Sequence, residues 1–132
     1  MIQEHEIVLY QVEGTNICVN VVFKDETFWM TQKAMAELFD VNVPAISKHL
    51  SNIFEEGELF KEATVSKMEI VQMEGNRKVK REPEFYNLDA IIAVGYRVNS
   101  KKATRFRQWA TKTLKDYITK GFVLNDDMLK NG

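Results

Sequence analysis

The side chains best suited to chemistry in this chain cluster between positions 42 and 48, where their types favour contact with nucleic-acid bases. Asparagine and lysine pair with base edges in the major groove, serine hydrogen-bonds to several bases, and apolar side chains contact the thymine methyl group. The set comprises Asn42, Val43, Pro44, Ser47 and Lys48. Their spacing predicts the exposed start of a helix that contacts duplex DNA.

Two helices joined by a tight turn must position this set, in the segment TQKAMAELFDVNVPAISKHLSNIF. Thr31 and Asn42 are suited to cap the two helices. Asp40 falls where the turn favours positive φ, and Val41 follows as a buried anchor. The inward-facing apolar residues are Met35, Ala36, Phe39, Ile46, Leu50, Ile53 and Phe54. This pattern is typical of a helix-turn-helix, although any short helical hairpin has similar spacing.

A second basic set follows a predicted hairpin turn. Strands over 68–73 and 78–86 flank Glu74 to Arg77, and the Gly75-Asn76 pair between them favours a tight turn. The set comprises Arg77, Lys78, Lys80 and Arg81. A basic hairpin after a helix-turn-helix predicts a wing whose cations lie along phosphates or enter a minor groove. The alternative is a hairpin that uses its charges only to protect an edge strand from aggregation.

The amino-terminal part predicts a small antiparallel sheet. Alternating apolar residues favour strands over 7–12, 17–23 and 27–30, with a turn at 24–26. Together with the paired helices, the hairpin and the helices that follow, this predicts an α+β fold. The fold class we expect is a winged helix-turn-helix with a small antiparallel β-sheet and C-terminal helices.

The carboxyl-terminal part predicts two helices. Asn87 is suited to cap a helix over 88–96, and Ser100 to cap a longer one that Gly121 ends. The long helix has a broad apolar face formed by Ala103, Phe106, Trp109, Ala110, Leu114, Tyr117 and Ile118. Lys101 and Arg105 lie on its basic face, as further candidate phosphate contacts. We therefore expect a domain over 1–98, and a helical segment over 99–132 that packs on it or forms a homodimer.

Charge is distributed unevenly along the 132 residues, although the formal net charge is only −1. Residues 1–64 carry four lysines against eleven acids, a balance of −7, whereas residues 65–132 carry 14 cations against eight acids, a balance of +6. Such an asymmetry favours a polyanionic partner for the basic half, with a solvated surface as the alternative. The hydrophobic content of 45% is enough for one folded domain.

Several classes of protein are disfavoured by the residues present. One cysteine, Cys18, and two histidines, His5 and His49, form no metal-ligand cluster and no internal disulfide. We find no glycine-rich phosphate loop, no nucleophile with a convergent base and no paired carboxylates, so we expect neither an enzyme nor a cofactor. The absence of a long apolar run or a basic leader favours a cytoplasmic protein without membrane contact.

Two blocks of the sequence resemble the RhuM family, virulence-associated proteins of bacterial genomic islands and prophage-like elements. They are TQKAMAELFDVNVPAISKHLSNIFEEGEL and FYNLDAIIAVGYRVNSKKATRFRQWATKTLKDYITKGFVLNDDML. The resemblance extends from about Trp29 to Leu129, and YNLDAIIAVGYRVNS followed by the FRQWAT segment at 106–111 is its distinctive part. The hairpin departs from the family pattern, and the chain is shorter than its relatives. The resemblance implies the amino-terminal portion of a DNA-binding protein.

Taken together, these features predict a sequence-specific protein that binds double-stranded DNA, as a transcriptional regulator or antirepressor of a mobile or prophage-like element. The rival interpretation is a protein-interaction module, antirepressor or antitoxin-like, that uses a winged-helix scaffold without binding DNA. Its partner would be a protein encoded nearby. The acidic first half of the chain is what favours this rival.

Overall fold

The computed structural model describes residues 6–120, with side chains through residue 119. The strands in this range are β1 Glu6–Gln11, β2 Cys18–Lys24, β3 Thr27–Met30, β4 Val65–Lys67, β5 Ile70–Glu74, β6 Arg77–Arg81 and β7 Glu84–Asn87. The helices are α1 Gln32–Phe39, α2 Val43–Glu55, α3 Lys61–Thr64, α4 Leu88–Val98 and α5 Ser100–Lys120. The protein is therefore α+β, as the sequence predicted.

A five-stranded antiparallel sheet has the order β1-β2-β3-β7-β4. Its first three strands are the predicted amino-terminal sheet. The β2–β3 turn places Asp25 and Glu26 at φ of 53° and 61°, the conformation of a two-residue turn between twisted strands. Strands β7 and β4 extend the sheet from a later part of the chain. The sheet therefore joins the amino-terminal segment to the region that follows α2.

Both faces of this sheet are partly covered, because successive side chains on a strand point to opposite sides. Val21, Phe28 and Tyr86 belong to the main core, which the helices complete. Val22, Trp29 and Phe85 point the other way and pack with Met68 in a second, smaller core. This second core fixes the base of the β5–β6 hairpin on the face of the sheet opposite the helices.

Three of the helices have side-chain N-caps at the residues that the sequence predicted. The Thr31 hydroxyl accepts a hydrogen bond from the Ala34 N–H at 3.1 Å. Asn42 and Asn87 cap α2 and α4 in the same way. The prediction for α5 was wrong. Asn99, not Ser100, accepts from the Lys102 N–H at 3.1 Å, because Ser100 already lies within the helix.

The aromatic face of α5 packs against the sheet and its neighbours in the same chain. Phe106 is fully buried with its ring edge-on to Tyr10 at 5.0 Å, and Trp109 stacks on Phe28 at 5.1 Å and 17°. Ile118, predicted on this face, is instead 51% exposed. The predicted end of the helix at Gly121 lies outside the described residues. The broad face therefore has a partner within the chain for most of its length.

The region between α2 and α4 is more divided than the sequence predicted. The strand expected over 68–73 begins only at Ile70, because the side chain of Met68 is buried beneath the sheet. The strand expected over 78–86 is interrupted at Glu82 and Pro83, where the Met68 N–H donates to the Pro83 carbonyl at 3.3 Å. Helix α3 was not predicted, and β4 was not predicted as a separate strand, although the pattern from Val65 onward favours strand. In the described part of the chain, no helix is long and apolar enough to cross a membrane.

Candidate nucleic-acid interface

The turn between α1 and α2 consists of Asp40, Val41 and Asn42. Asp40 has φ 59° and ψ 51°, which confirms the predicted left-handed position, and the Val41 N–H donates to the Ala36 carbonyl at 3.0 Å. Val41 is half-buried rather than fully buried, so its predicted role as a core anchor is only partly correct. The turn is short and closed by hydrogen bonds, which fixes the direction in which α2 leaves it.

The amino-terminal end of α2 is exposed on one side and anchored on the other. Ile46, Leu50 and Ile53 are buried and attach the helix to α1 and α4. The predicted contact residues are all exposed: Asn42, Val43, Pro44, Ser47 and Lys48. The structure therefore presents this set together on one accessible surface at the start of the helix, where Asn42 already accepts hydrogen bonds from the Ala45 and Ile46 N–H groups.

Asn42 also has a structural role that limits its chemistry. Its Oδ1 accepts a hydrogen bond from the Ala45 N–H at 2.9 Å, which caps α2. An asparagine that reads adenine uses both its oxygen and its nitrogen. Because the oxygen already has a partner, only the side-chain N–H groups remain for an external acceptor.

The carboxyl-terminal end of α2 is acidic, and one arginine forms ion pairs with two of its acids. Arg97 of α4 donates to Glu56 and Glu58, each at 2.9 Å. Hydrogen bonds to these two carboxylates raise the pKa of the Arg97 guanidinium further above its ordinary value. The 13 residues of α2 separate the acidic end from the exposed amino-terminal end by about 20 Å.

Strands β5 and β6 form the hairpin that the sequence predicted, with Gly75 and Asn76 as its two-residue loop. Gly75 has φ 67°, a conformation that residues with a Cβ rarely adopt. Arg81 donates two hydrogen bonds to Glu74, at 2.7 and 2.9 Å, and Lys80 lies 4.0 Å from Glu69. Of the four predicted cations, Lys80 and Arg81 therefore have ion-pair partners. Arg77 and Lys78 have none among the described residues.

Lys101 and Arg105 lie on α5 and differ in whether they have an ion-pair partner. Arg105 pairs with Glu13 in the β1–β2 loop at 3.2 Å, whereas Lys101 is exposed. Within residues 6–119, no hydrogen bond or ion pair joins either residue to the start of α2 or to the hairpin.

The outer side of α1 was not predicted as part of the site. Lys33 and Glu37 are exposed one turn apart, and both line two surface grooves. One groove runs along the turn to Val43, and the other runs along β5 at Val71. The start of α2 and the hairpin therefore lie on either side of α1. The four-residue spacing of Lys33 and Glu37 could have revealed their common face.

The described residues contain no group of three or more histidine, cysteine, aspartate or glutamate side chains placed to hold a metal ion. Cys18 is exposed beside the groove at the turn. The chemistry that the surface offers is hydrogen bonding and charge pairing at two exposed elements, with α1 between them.

The fold and this surface define an α+β protein with a short helical hairpin and a separate basic β-hairpin on one small domain. A family model described as "Virulence protein RhuM family" matches residues 63–132. The chain belongs to this family, which confirms the resemblance found in the sequence. The match begins at the end of α3 and includes the hairpin, α4 and α5. No curated protein and no solved structure gave a significant match.

Proposed function

We propose that this protein binds double-stranded DNA sequence-specifically through a winged helix-turn-helix, in which α2 is the recognition helix and the β5–β6 hairpin is the wing. The biological role would be regulation of transcription, or antirepression, in a mobile or prophage-like element of the bacterial cytoplasm. Binding alone is the activity, without catalysis or a cofactor. The observation that carries the proposal is the start of α2, exposed on one side while Ile46, Leu50 and Ile53 anchor the other.

The geometry of α2 suits a major groove. A helix that enters the groove needs its first turns free and its opposite side fixed by the domain, as α1 and α4 fix it here. Ser47 and Lys48, one turn into α2, are within reach of base edges. Arg97 forms ion pairs with the acids at the other end of α2. That end lies about 20 Å from the start of the helix, so its acids would not repel the DNA phosphates contacted there.

Affinity and sequence preference would come from different residues. Lys78 and Arg77 carry charge that no described carboxylate neutralises, so the hairpin would supply phosphate contacts. Ser47 and Lys48 would supply preference, because only base edges carry sequence information. Arg81 and Arg105 contribute less, since Glu74 and Glu13 already bind them.

The first experiment is selection of bound sites from a random duplex pool with the purified chain, followed by titration of preferred and scrambled duplexes at several salt concentrations. Substituting Lys78 and Lys80 by alanine should weaken binding to both duplexes and reduce the salt slope by about 0.9 log unit for each phosphate interaction removed. Ser47→Ala should reduce affinity by about five- to 160-fold on the preferred duplex alone, if Ser47 makes a good base contact. Ser51→Ala, on an exposed later turn of α2, is the matched control.

Binding of no duplex at low salt would refute the proposal. Unchanged salt dependence in the lysine variant would instead show that the hairpin cations protect an edge strand and do not touch phosphate. For Asn42, serine is the appropriate replacement, because it retains the cap and removes only the amide.

One observation favours the rival, a protein-interaction module. Ile7 and Leu9 on the edge strand β1 are 56% and 63% exposed, and edge strands with exposed aliphatic side chains often pair with another chain. Retention on heparin that diminishes as salt increases separates the two proposals. A chain that passes through heparin unretained at low salt, yet co-purifies with a protein encoded nearby, would favour the rival.

A further inference from the structure

The β5–β6 hairpin has two chemically different faces. In its register, Val71 lies opposite Lys80 and Met73 lies opposite Lys78. Because side chains alternate along each strand, these four residues share one face, and Ile70, Gln72, Glu74, Arg77, Val79 and Arg81 share the other. We call the first of these the outer ribbon face. It carries two aliphatic side chains and two lysines.

Contacts within the domain occupy the opposite face. Ile70 packs against the second core, beside Val22 and Met68. Arg81 crosses to Glu74 and donates two hydrogen bonds to its carboxylate, which ties the two strands together. Through Ile70 this face attaches the hairpin to the sheet, whereas all four residues of the outer ribbon face are exposed.

The outer ribbon face is exposed, with its aliphatic side chains on β5 and its lysines on β6. Val71 and Met73 are 60% and 62% exposed, although the same positions on a purely solvated hairpin would favour polar residues. Lys78 and Lys80 stand beside them, about 7 Å apart along β6 by the rise of a strand. Lys80 is only weakly held, since Glu69 lies 4.0 Å away and both side chains are largely exposed.

The combination of lysine and aliphatic side chains fits a groove of duplex DNA, with its bases and phosphates, better than it fits the phosphate backbone alone. A two-stranded ribbon fits the major groove, about 12 Å wide, but its two strands and their side chains exceed the minor groove, about 6 Å wide. The major groove also presents the thymine methyl group, an apolar partner for valine and methionine. The two lysines, both on β6, would then lie near the phosphates at one edge of the groove.

We propose that the outer ribbon face lies in a DNA major groove, with Val71 and Met73 against thymine methyl groups and Lys78 and Lys80 on the flanking backbone. This inference rests on the proposed function and extends it. The hairpin then contributes sequence preference for thymine as well as charge. The location of the face, across α1 from the start of α2, places both elements on adjoining surfaces.

The test replaces the two aliphatic side chains with polar ones of similar size, Val71→Thr with Met73→Gln. Leu9→Gln is the matched control, because Leu9 is equally exposed but lies on β1. Each variant is titrated against the preferred duplex and against the same duplex with uracil replacing thymine, which removes only the methyl groups. Met73→Gln alone is the second variant if the double substitution lowers the thermal midpoint.

The double variant should bind the thymine duplex about 15-fold more weakly than the unmodified chain, at about fourfold for each of the two buried methyl groups, with an unchanged salt slope. Uracil should weaken the unmodified chain and the Leu9 variant more than it weakens the double variant. The two perturbations remove the same interaction, so their effects should not add.

Four outcomes would overturn the inference. If the double variant binds as tightly as the unmodified chain while alanine at Lys78 and Lys80 weakens binding, the ribbon touches phosphates only. The proposed function would then stand. A weakened double variant that keeps the full uracil penalty would exclude the methyl contact. A double variant that changes from dimer to monomer in sedimentation would assign the face to an interface between two copies. If the unmodified chain binds no duplex, both proposals fail.

Discussion

Gly95 of α4 lies where three helices meet, so substitution by alanine tests the packing directly. An added Cβ would lie 2.6 Å from Cζ of Phe39 on α1 and 2.7 Å from Cβ of Ala103 on α5. Both neighbours are buried, and Ala103 Cβ moves only with its helix. Overpacking of this kind costs about 1 to 3 kcal/mol, whereas alanine gains about 1 kcal/mol over glycine inside a helix.

The overpacking term should prevail, because neither neighbour is a flexible side chain that can withdraw. We expect Gly95→Ala to lower the free energy of unfolding by about 2 kcal/mol, near the upper end of the overpacking range less the helical gain. Urea unfolding followed by circular dichroism measures this difference. Adding Ala103→Gly removes one of the close approaches, so the double variant should lose less stability than the two single changes summed.

An increase in stability of about 1 kcal/mol on Gly95→Ala would refute this reasoning, because it would show that only helix propensity responds and that the helices are farther apart. Additive effects in the double variant would separately exclude the contact between positions 95 and 103.

Three further predictions concern the same core and turn. Leu50→Ala should cost about 2 to 5 kcal/mol in a urea melt because Leu50 is 2% exposed, whereas a change within about 0.5 kcal/mol would remove it from the core. Asp40→Asn should leave stability nearly unchanged and Asp40→Val should lower it by about 1 to 2 kcal/mol, since asparagine tolerates the left-handed region; equal melts would contradict this. Burial, together with Glu84, raises the pKa of Tyr86 above 10.0, although the Gln32 hydrogen bond lowers it. The stability contributed by neutral Tyr86 is complete below pH 10.0 and is lost as pH rises through its folded pKa. Tyr86→Phe should therefore flatten the decline in melting temperature above pH 10. An unaltered decline would refute the raised pKa of Tyr86 as its cause.

The elements that the sequence predicted well are those with local signals. Thr31 and Asn42 cap α1 and α2 because a short polar side chain can bond the next turn without help from distant residues. Asp40 takes a left-handed conformation that the hydrogen bond to Ala36 requires. For the same reason the residues that begin α2 were identified as one exposed set. Their neighbours along the chain determine both the helix start and the exposed side.

What the sequence could not predict depends on residues far apart in the chain. Met68 resembles a strand residue, but Val22, Trp29 and Phe85 draw it under the sheet and delay the start of β5. Asn99 replaced Ser100 as a cap because both residues have suitable side chains and the path of the chain between α4 and α5 decides which one lies outside the helix. Pattern alone does not contain that information.

Charge counting also has a physical limit, which the hairpin illustrates. The four cations at 77–81 looked equivalent in sequence, yet Arg81 is bound by Glu74 on one face of the hairpin, while Lys78 lies on the other face. Val71 and Met73 were not predicted as candidate contacts, because their alternation was assigned to a generic strand. Knowing the register changes both conclusions, since it determines which side chains share a face.

The acids beside α2 determine how the proposed binding would divide between its two elements. Glu37 and Asp40 are exposed near the turn, and neither has an ion-pair partner among residues 6–119. Lys33 and Lys48 supply a similar positive charge there, so the start of α2 has little net attraction for phosphate. The outward cations of the hairpin must therefore provide the long-range attraction. On the proposed function, a chain without those cations would retain its contacts with bases but would reach DNA too weakly to use them.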